Sequence, residues 1–184
     1  MKFARVLVVV ANLLLVACVL VQPQPAPERP FATETLLISL DDMPEGWFVT
    51  DGPEDSSDEI NVDEGFWIVF EATDSEPHRK AIHEVYRYDN AWQARVIYKD
   101  LVLPYHHGET PASWTYQSSL ADPYNFTCYT YKGYVHPICK WSGVYEEYIV
   151  IFSAGLIPGR MSLEDMERII QTIETRMKQN LQTP

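Results

Sequence analysis

Five histidines, His78, His83, His106, His107 and His136, are the side chains here best suited to hold a metal or move a proton near neutral pH. They are scattered. No His-Glu-x-x-His or other dense ligand spacing occurs, and the neighbours His106 and His107 point apart in most backbones. Asp51, Glu54, Asp55, Asp58, Glu59, Asp63 and Glu64 crowd one stretch, and Ca²⁺ takes about six to eight oxygens. The ordered Asp-x-Asp-x-Asp-Gly pattern is missing, so the stretch reads as a solvated acidic loop. Neither Gly-x-Ser-x-Gly nor a glycine-rich phosphate loop is present. No catalytic residue, metal ligand or cofactor is therefore assigned. Tyr129, Tyr131, Tyr134, Trp141, Tyr145 and Tyr148 make a dense aromatic zone. It reads first as sheet packing; as a ligand surface its members would be Tyr129, Tyr131, Trp141 and Tyr145.

Three cysteines remain to be explained. Cys128 and Cys139 flank Gly133, between strand-like segments. If the two face each other across a hairpin, Phe126 faces Trp141, and both pairs fall on one side because strand side chains alternate. One register thus joins a disulfide to an aromatic pair. The alternatives, free thiols or a metal pair, lack supporting ligands.

Cys18 stands apart. Lys2 and Arg5 precede an apolar run over residues 6–17 broken only by Asn12, the layout of an export signal. The run ends in Leu15-Val16-Ala17-Cys18, which resembles the lipobox of bacterial lipoproteins. The resemblance implies cleavage before Cys18 and a lipid on its thiol. Val19, Leu20 and Val21 extend the run to residues 6–21, slightly short of the roughly 17–25 residues of a membrane span. An uncleaved N-terminal anchor is thus the alternative, and plain secretion a third. Residues 22–30 read QPQPAPERP, and alternating Pro favours an extended spacer of about 3.1 Å per residue. The expected division is a signal peptide over 1–17, a membrane-proximal tether over 18–32 and one extracytoplasmic domain over 33–184.

Elements to position these residues follow from periodicity. Residues 33–40 suit a short helix or strand, ended by Pro44, and residues 47–50 a first strand, with residues 51–64 a loop. Residues 65–72 are apolar on both alternating sets, as in a strand covered on both faces. Residues 80–88 form the next strand. Asp89 or Asn90 caps a helix reaching about Val102, with Trp92, Ala94, Val96, Ile97 and Leu101 as its apolar stripe. Residues 113–118 suggest a strand before the cysteine hairpin, and residues 144–154 the longest strand. Ser162 and Asp165 form a capping box. Leu163, Met166, Ile170, Ile173 and Met177 then recur at spacings of three and four. The expected class is α+β: an antiparallel sheet of about five to seven strands, with one mid-chain helix and a C-terminal helix packed on it. The phrases Asp42-Met43-Pro44-Glu45-Gly46-Trp47 and Cys139-Lys140-Trp141 resemble segments of uncharacterised bacterial lipoproteins, and the layout resembles PsbP-like extracytoplasmic domains. Neither resemblance carries a functional residue.

The chain of 184 residues has a net charge of −12. Such an acidic surface repels nucleic-acid phosphates and anionic lipid, so membrane attachment must come from the N-terminal lipid or helix. The expectation is a non-enzymatic envelope protein that binds an unidentified protein or small molecule. The alternative is an extracytoplasmic, hydrolase-like enzyme without a local motif.

Overall fold

Strand and helix signals converge on one six-stranded sheet. The computed structural model describes residues 24–57, 62–73, 80–133 and 135–182. Cys18 and His78 lie outside the described residues. The strands are β1 (Trp47–Asp55), β2 (Glu64–Ala72), β3 (Lys80–Arg87), β4 (Tyr124–Tyr129), β5 (Ile138–Tyr145) and β6 (Tyr148–Gly155). Their order is β1-β2-β3-β6-β5-β4, and every neighbouring pair is antiparallel. Two meanders, β1–β3 and β4–β6, are thus joined along the β3–β6 ladder. Helix α1 (Ala91–Ile97) follows β3 and helix α2 (Leu163–Leu181) closes the fold. The architecture is α+β.

Alternation along the strands gives the sheet two unlike faces. The inner face presents Phe70, Val85, Trp141, Val150 and Phe152 to α2, which buries Met166, Ile169, Ile170, Ile173 and Met177. Each such side chain contributes roughly 1.5–3 kcal/mol of burial. The capping box forms: Asp165 N donates to Ser162 Oγ at 3.1 Å, and Ser162 N donates to Asp165 Oδ2 at 3.0 Å. Thr33–Leu36 and Leu40–Asp42 are short 3-10 turns rather than a regular helix or strand. This strap buries Leu36 and Ile38 in the inner core and is held to α2 by Arg176, whose Nη2 donates to Asp42 at 2.5 Å.

The cysteine hairpin has the expected register. Cys128 pairs with Cys139 and Phe126 with Trp141, and the two sulfurs are bonded. Elsewhere the structure corrects the sequence reading. Residues 144–154 are not one strand. The chain reverses at Glu146-Glu147, where Glu146 has φ 54°, and Tyr145 pairs with Tyr148. The turn puts Tyr145 on the inner face with Tyr148, while Val144 joins Ile149 and Ile151 on the outer. β1 runs on to Asp55 through Gly52 at φ 78°, with register shifts on either side of Asp51. Residues 113–118 form no strand.

The mid-chain helix is capped by Asn90, whose side chain accepts from Gln93 N at 2.9 Å. It continues from Tyr98 to Val102 as a wider π turn. Its buried residues are Ala94 and Tyr98, with Ile97 and Val102 partly covered. Trp92 and Leu101, expected to pack inward, are exposed.

The end of the proline-rich stretch lies against the domain. Arg29 forms a two-pronged ion pair with Glu147, Nε to Oε1 at 2.7 Å and Nη2 to Oε2 at 2.8 Å. Arg87 Nη2 donates to Pro27 O at 2.8 Å, and Ala26 N donates to Asp89 O at 2.6 Å. The free spacer read into residues 22–30 therefore ends by Ala26.

Candidate functional site

The outer face of the sheet is only half covered. The segment from Ala91 to Tyr105 closes over Val144, Ile149 and Ile151. Beyond it the outward residues of β2, β3, β5 and β6 line an open groove. One end, about 530 Å³, holds Trp67, Asp51 and Tyr86; the other, about 300 Å³, holds Tyr129, Ile138 and Lys140. Both ends share Lys80, Ile82 and Glu84 on β3, so the groove is continuous across the strands.

Ladder register explains the gathering. Ile82 pairs with Ser153, and Ser153 with Lys140, so one row runs across three strands. Glu84 starts the next row. Its Oε1 accepts from the Tyr86 hydroxyl at 2.6 Å, and burial together with this carboxylate holds the Tyr86 proton well above the usual phenol range. Burial lowers the proton affinity of the Lys140 ammonium, an effect that Glu84 partly offsets. No carboxylate among the described residues forms an ion pair with Lys140. The groove thus offers an aromatic and aliphatic floor with a half-buried cation at one end.

A serine–histidine contact stands behind it. His106 Nε2 lies 2.6 Å from Ser142 Oγ, and His106 Nδ1 lies 3.2 Å from Thr127 Oγ1. Ser142 Oγ donates to the Tyr98 hydroxyl at 3.0 Å, which donates to the Ser142 carbonyl at 3.2 Å. One direction of donation satisfies the chain: Thr127 to neutral His106, then His106 to Ser142. Burial pushes the His106 pKa down to about 4, in keeping with a neutral ring. Ser142 is fully buried, and its proton is already committed. The arrangement ties the helical segment to the sheet and presents no nucleophile to the groove.

The remaining expected site residues do not gather. His83 is buried on the inner face, with Nδ1 accepting from Ile38 N at 3.0 Å. His107 meets Tyr129 edge-on, 6.0 Å between ring centres. Among the described residues no cluster of three or more His, Cys, Asp or Glu side chains could hold a metal. Of the four aromatics, Trp141 and Tyr145 are buried on the inner face, whereas Tyr129 lines the groove and donates to the Tyr131 hydroxyl at 3.4 Å. Strand parity separates them.

Sequence reasoning missed Trp67, Glu84 and Lys140. The available signal was charge inside strands: Lys140 sits between Cys139 and Trp141, and Glu84 interrupts an otherwise amphipathic β3. It also missed Glu174, buried on the apolar face of α2, where its carboxylate accepts from Tyr116 at 2.7 Å, from Tyr145 at 3.3 Å and from Ser118. Its spacing of four from Ile170 and three from Met177 was the signal. No family model, curated protein or solved structure matches this chain.

Proposed function

We propose that this is an exported protein, tethered to a membrane through Cys18, whose domain binds a small amphipathic anion in the outer-face groove. The observation that carries the reading is the uncovered half of the sheet, where Ile82 and Tyr129 line the end that holds Lys140, a lysine without an ion-pair partner among the described residues, and Trp67 lines the other end. An apolar body would lie on the strands and an anionic group would meet Lys140, whose desolvated ammonium gains most from a partner. Among the described residues His83 is buried on the inner face and His106 is committed to Ser142 and Thr127, which favours binding over catalysis. The Cys128–Cys139 bridge suits an oxidising compartment. Among the described residues no helix is long and apolar enough to cross a membrane.

The groove is tested by thermal melts against matched aryl and alkyl carboxylates, alcohols and amines. Carboxylates should raise the melting temperature of the wild type, and Lys140→Met should abolish the rise. Equal responses to carboxylates and alcohols, or a rise that survives Lys140→Met, would refute the reading. The tether is tested by labelling with a fatty-acid probe, which should mark the wild type and not Cys18→Ser.

A further inference from the structure

The segment from Ala91 to Tyr105 turns an unusual set of side chains to water. Trp92 is 62% exposed, Leu101 57%, Leu103 40% and Tyr105 64%. Arg95 follows Trp92 by three residues and Lys99 follows Arg95 by four; both are exposed, as is Asp100, and Arg95 pairs with Asp122 at 3.5 Å, so charged and apolar groups share the outward side of one helical turn after another. Neighbouring exposed apolar residues of this size mark a contact surface more often than plain solvent exposure. Trp, Tyr and Leu with interspersed Arg and Lys make up the composition of helices lying at a membrane–water interface.

Chain path decides what the surface meets. The described chain enters the domain at Ala26, whose N–H donates to the carbonyl of Asp89, the residue before the Asn90 cap. The tether thus arrives at the start of this segment. Cys18 precedes Ala26 by eight residues, and an extended chain spans at most about 3.3–3.6 Å per residue. A lipid on Cys18 therefore holds the N-terminus of α1 within roughly 30 Å of the bilayer. An uncleaved apolar run ending at Val21 would hold it closer.

We infer that the segment Ala91–Tyr105 lies on the surface of the lipid bilayer that anchors the chain, with Trp92 and Leu103 at headgroup depth. The inference rests on the tethering reading above and adds an orientation: the domain is laid against the membrane at this segment, not held clear of it. Full-chain protein extracted from membranes and reconstituted into phosphatidylcholine vesicles tests it, using lipids brominated high on the acyl chain. Trp92 is the most exposed of the five tryptophans. The wild type should lose tryptophan fluorescence to the brominated lipid; Trp92→Phe should remove that loss and Trp67→Phe should keep it. Protein that floats with the vesicles but shows no Trp92-dependent quenching overturns the inference and leaves the tether standing. Protein that fails to float overturns both. Shielding of Trp92 that vanishes as protein is diluted at constant lipid assigns the surface to a second copy of the chain and likewise overturns it.

Discussion

Arg29 and Glu147, 118 positions apart, form a two-pronged ion pair in which the arginine side chain is 6% exposed and the glutamate 1%. Glu147 lies in the turn between β5 and β6, so a residue of the N-terminal stretch completes a hairpin near the far end of the chain. Glu147 holds the Arg29 proton firmly, raising its pKa well above the ordinary value. Removing the arginine leaves a buried carboxylate with Arg87 as a poorer partner at 3.9 Å. Arg29→Ala should cost about 3–5 kcal/mol in denaturant unfolding. Arg29→Met combined with Glu147→Leu should recover most of that loss, since it removes both charges. A loss below about 1 kcal/mol in the single variant would place the pair among weak surface contacts.

His83 predicts acid sensitivity. Burial, with the nearby Arg176 charge, depresses its pKa from 6.5 to about 3, Asp42 offsetting a little. The folded protein keeps the ring neutral while the unfolded chain takes up a proton below its ordinary pKa. Stability is therefore full above about pH 6.5, falls as pH drops towards 3, and levels off once the folded form also protonates. The contribution lost between pH 6.5 and 4.5 is about 2 kcal/mol. His83→Asn retains an acceptor for Ile38 N–H and does not titrate. Its stability should fall less over that interval, as denaturant titrations at the two pH values will show. Parallel curves would remove His83 as the cause.

The inner face predicts the response of α2. Ile170→Asp places an unpaired carboxylate among Met166, Ile173 and the sheet and should abolish cooperative melting. Lys178→Ala, on the exposed side, should change stability by no more than about 0.5 kcal/mol. Truncation after Gly159 should leave an unfolded chain, measured by the loss of near-ultraviolet circular dichroism.

The disulfide closes a loop with a sequence separation of 11. Replacing Cys128 and Cys139 by Ala should cost about 3 kcal/mol. Peptide mapping without reductant should recover the two cysteines in one linked pair. Two separately alkylated thiols from native protein would contradict the assignment.

Local chemistry was legible and distant chemistry was not. The Ser162–Asp165 capping box and the α2 stripe lie within a few residues, and the Cys128–Cys139 register needs only the two-residue period of a strand. The break at Glu146-Glu147 carries neither Gly nor Asn, and its buried acid is paired by Arg29, so nothing nearby announces it. Without that turn, residues 144–154 read as one strand, whose unbroken alternation would put Val144 on one face with Tyr148 and Tyr145 on the other with Ile149. The groove was hidden for a similar reason: Trp67, Glu84, Tyr129 and Lys140 meet only once the strand order is known. Trp92 and Leu101 were placed in the core because apolar spacing marks a face without saying what covers it.

Strand order also has a consequence for a chain that emerges from synthesis N-terminus first. β1, β2 and β3 can pair with one another as soon as they emerge, yet the other edge of β3 has its partner in β6, some sixty residues later. Until β6 arrives, that edge offers unpaired amides and carbonyls beside an apolar face that α2 has not yet closed, the conditions under which chains join to one another. Folding of the emerging chain is thus a race between the arrival of its last third and encounters among its first halves. Slowing synthesis between β3 and β6 should cost yield even when every contact in the finished domain is intact.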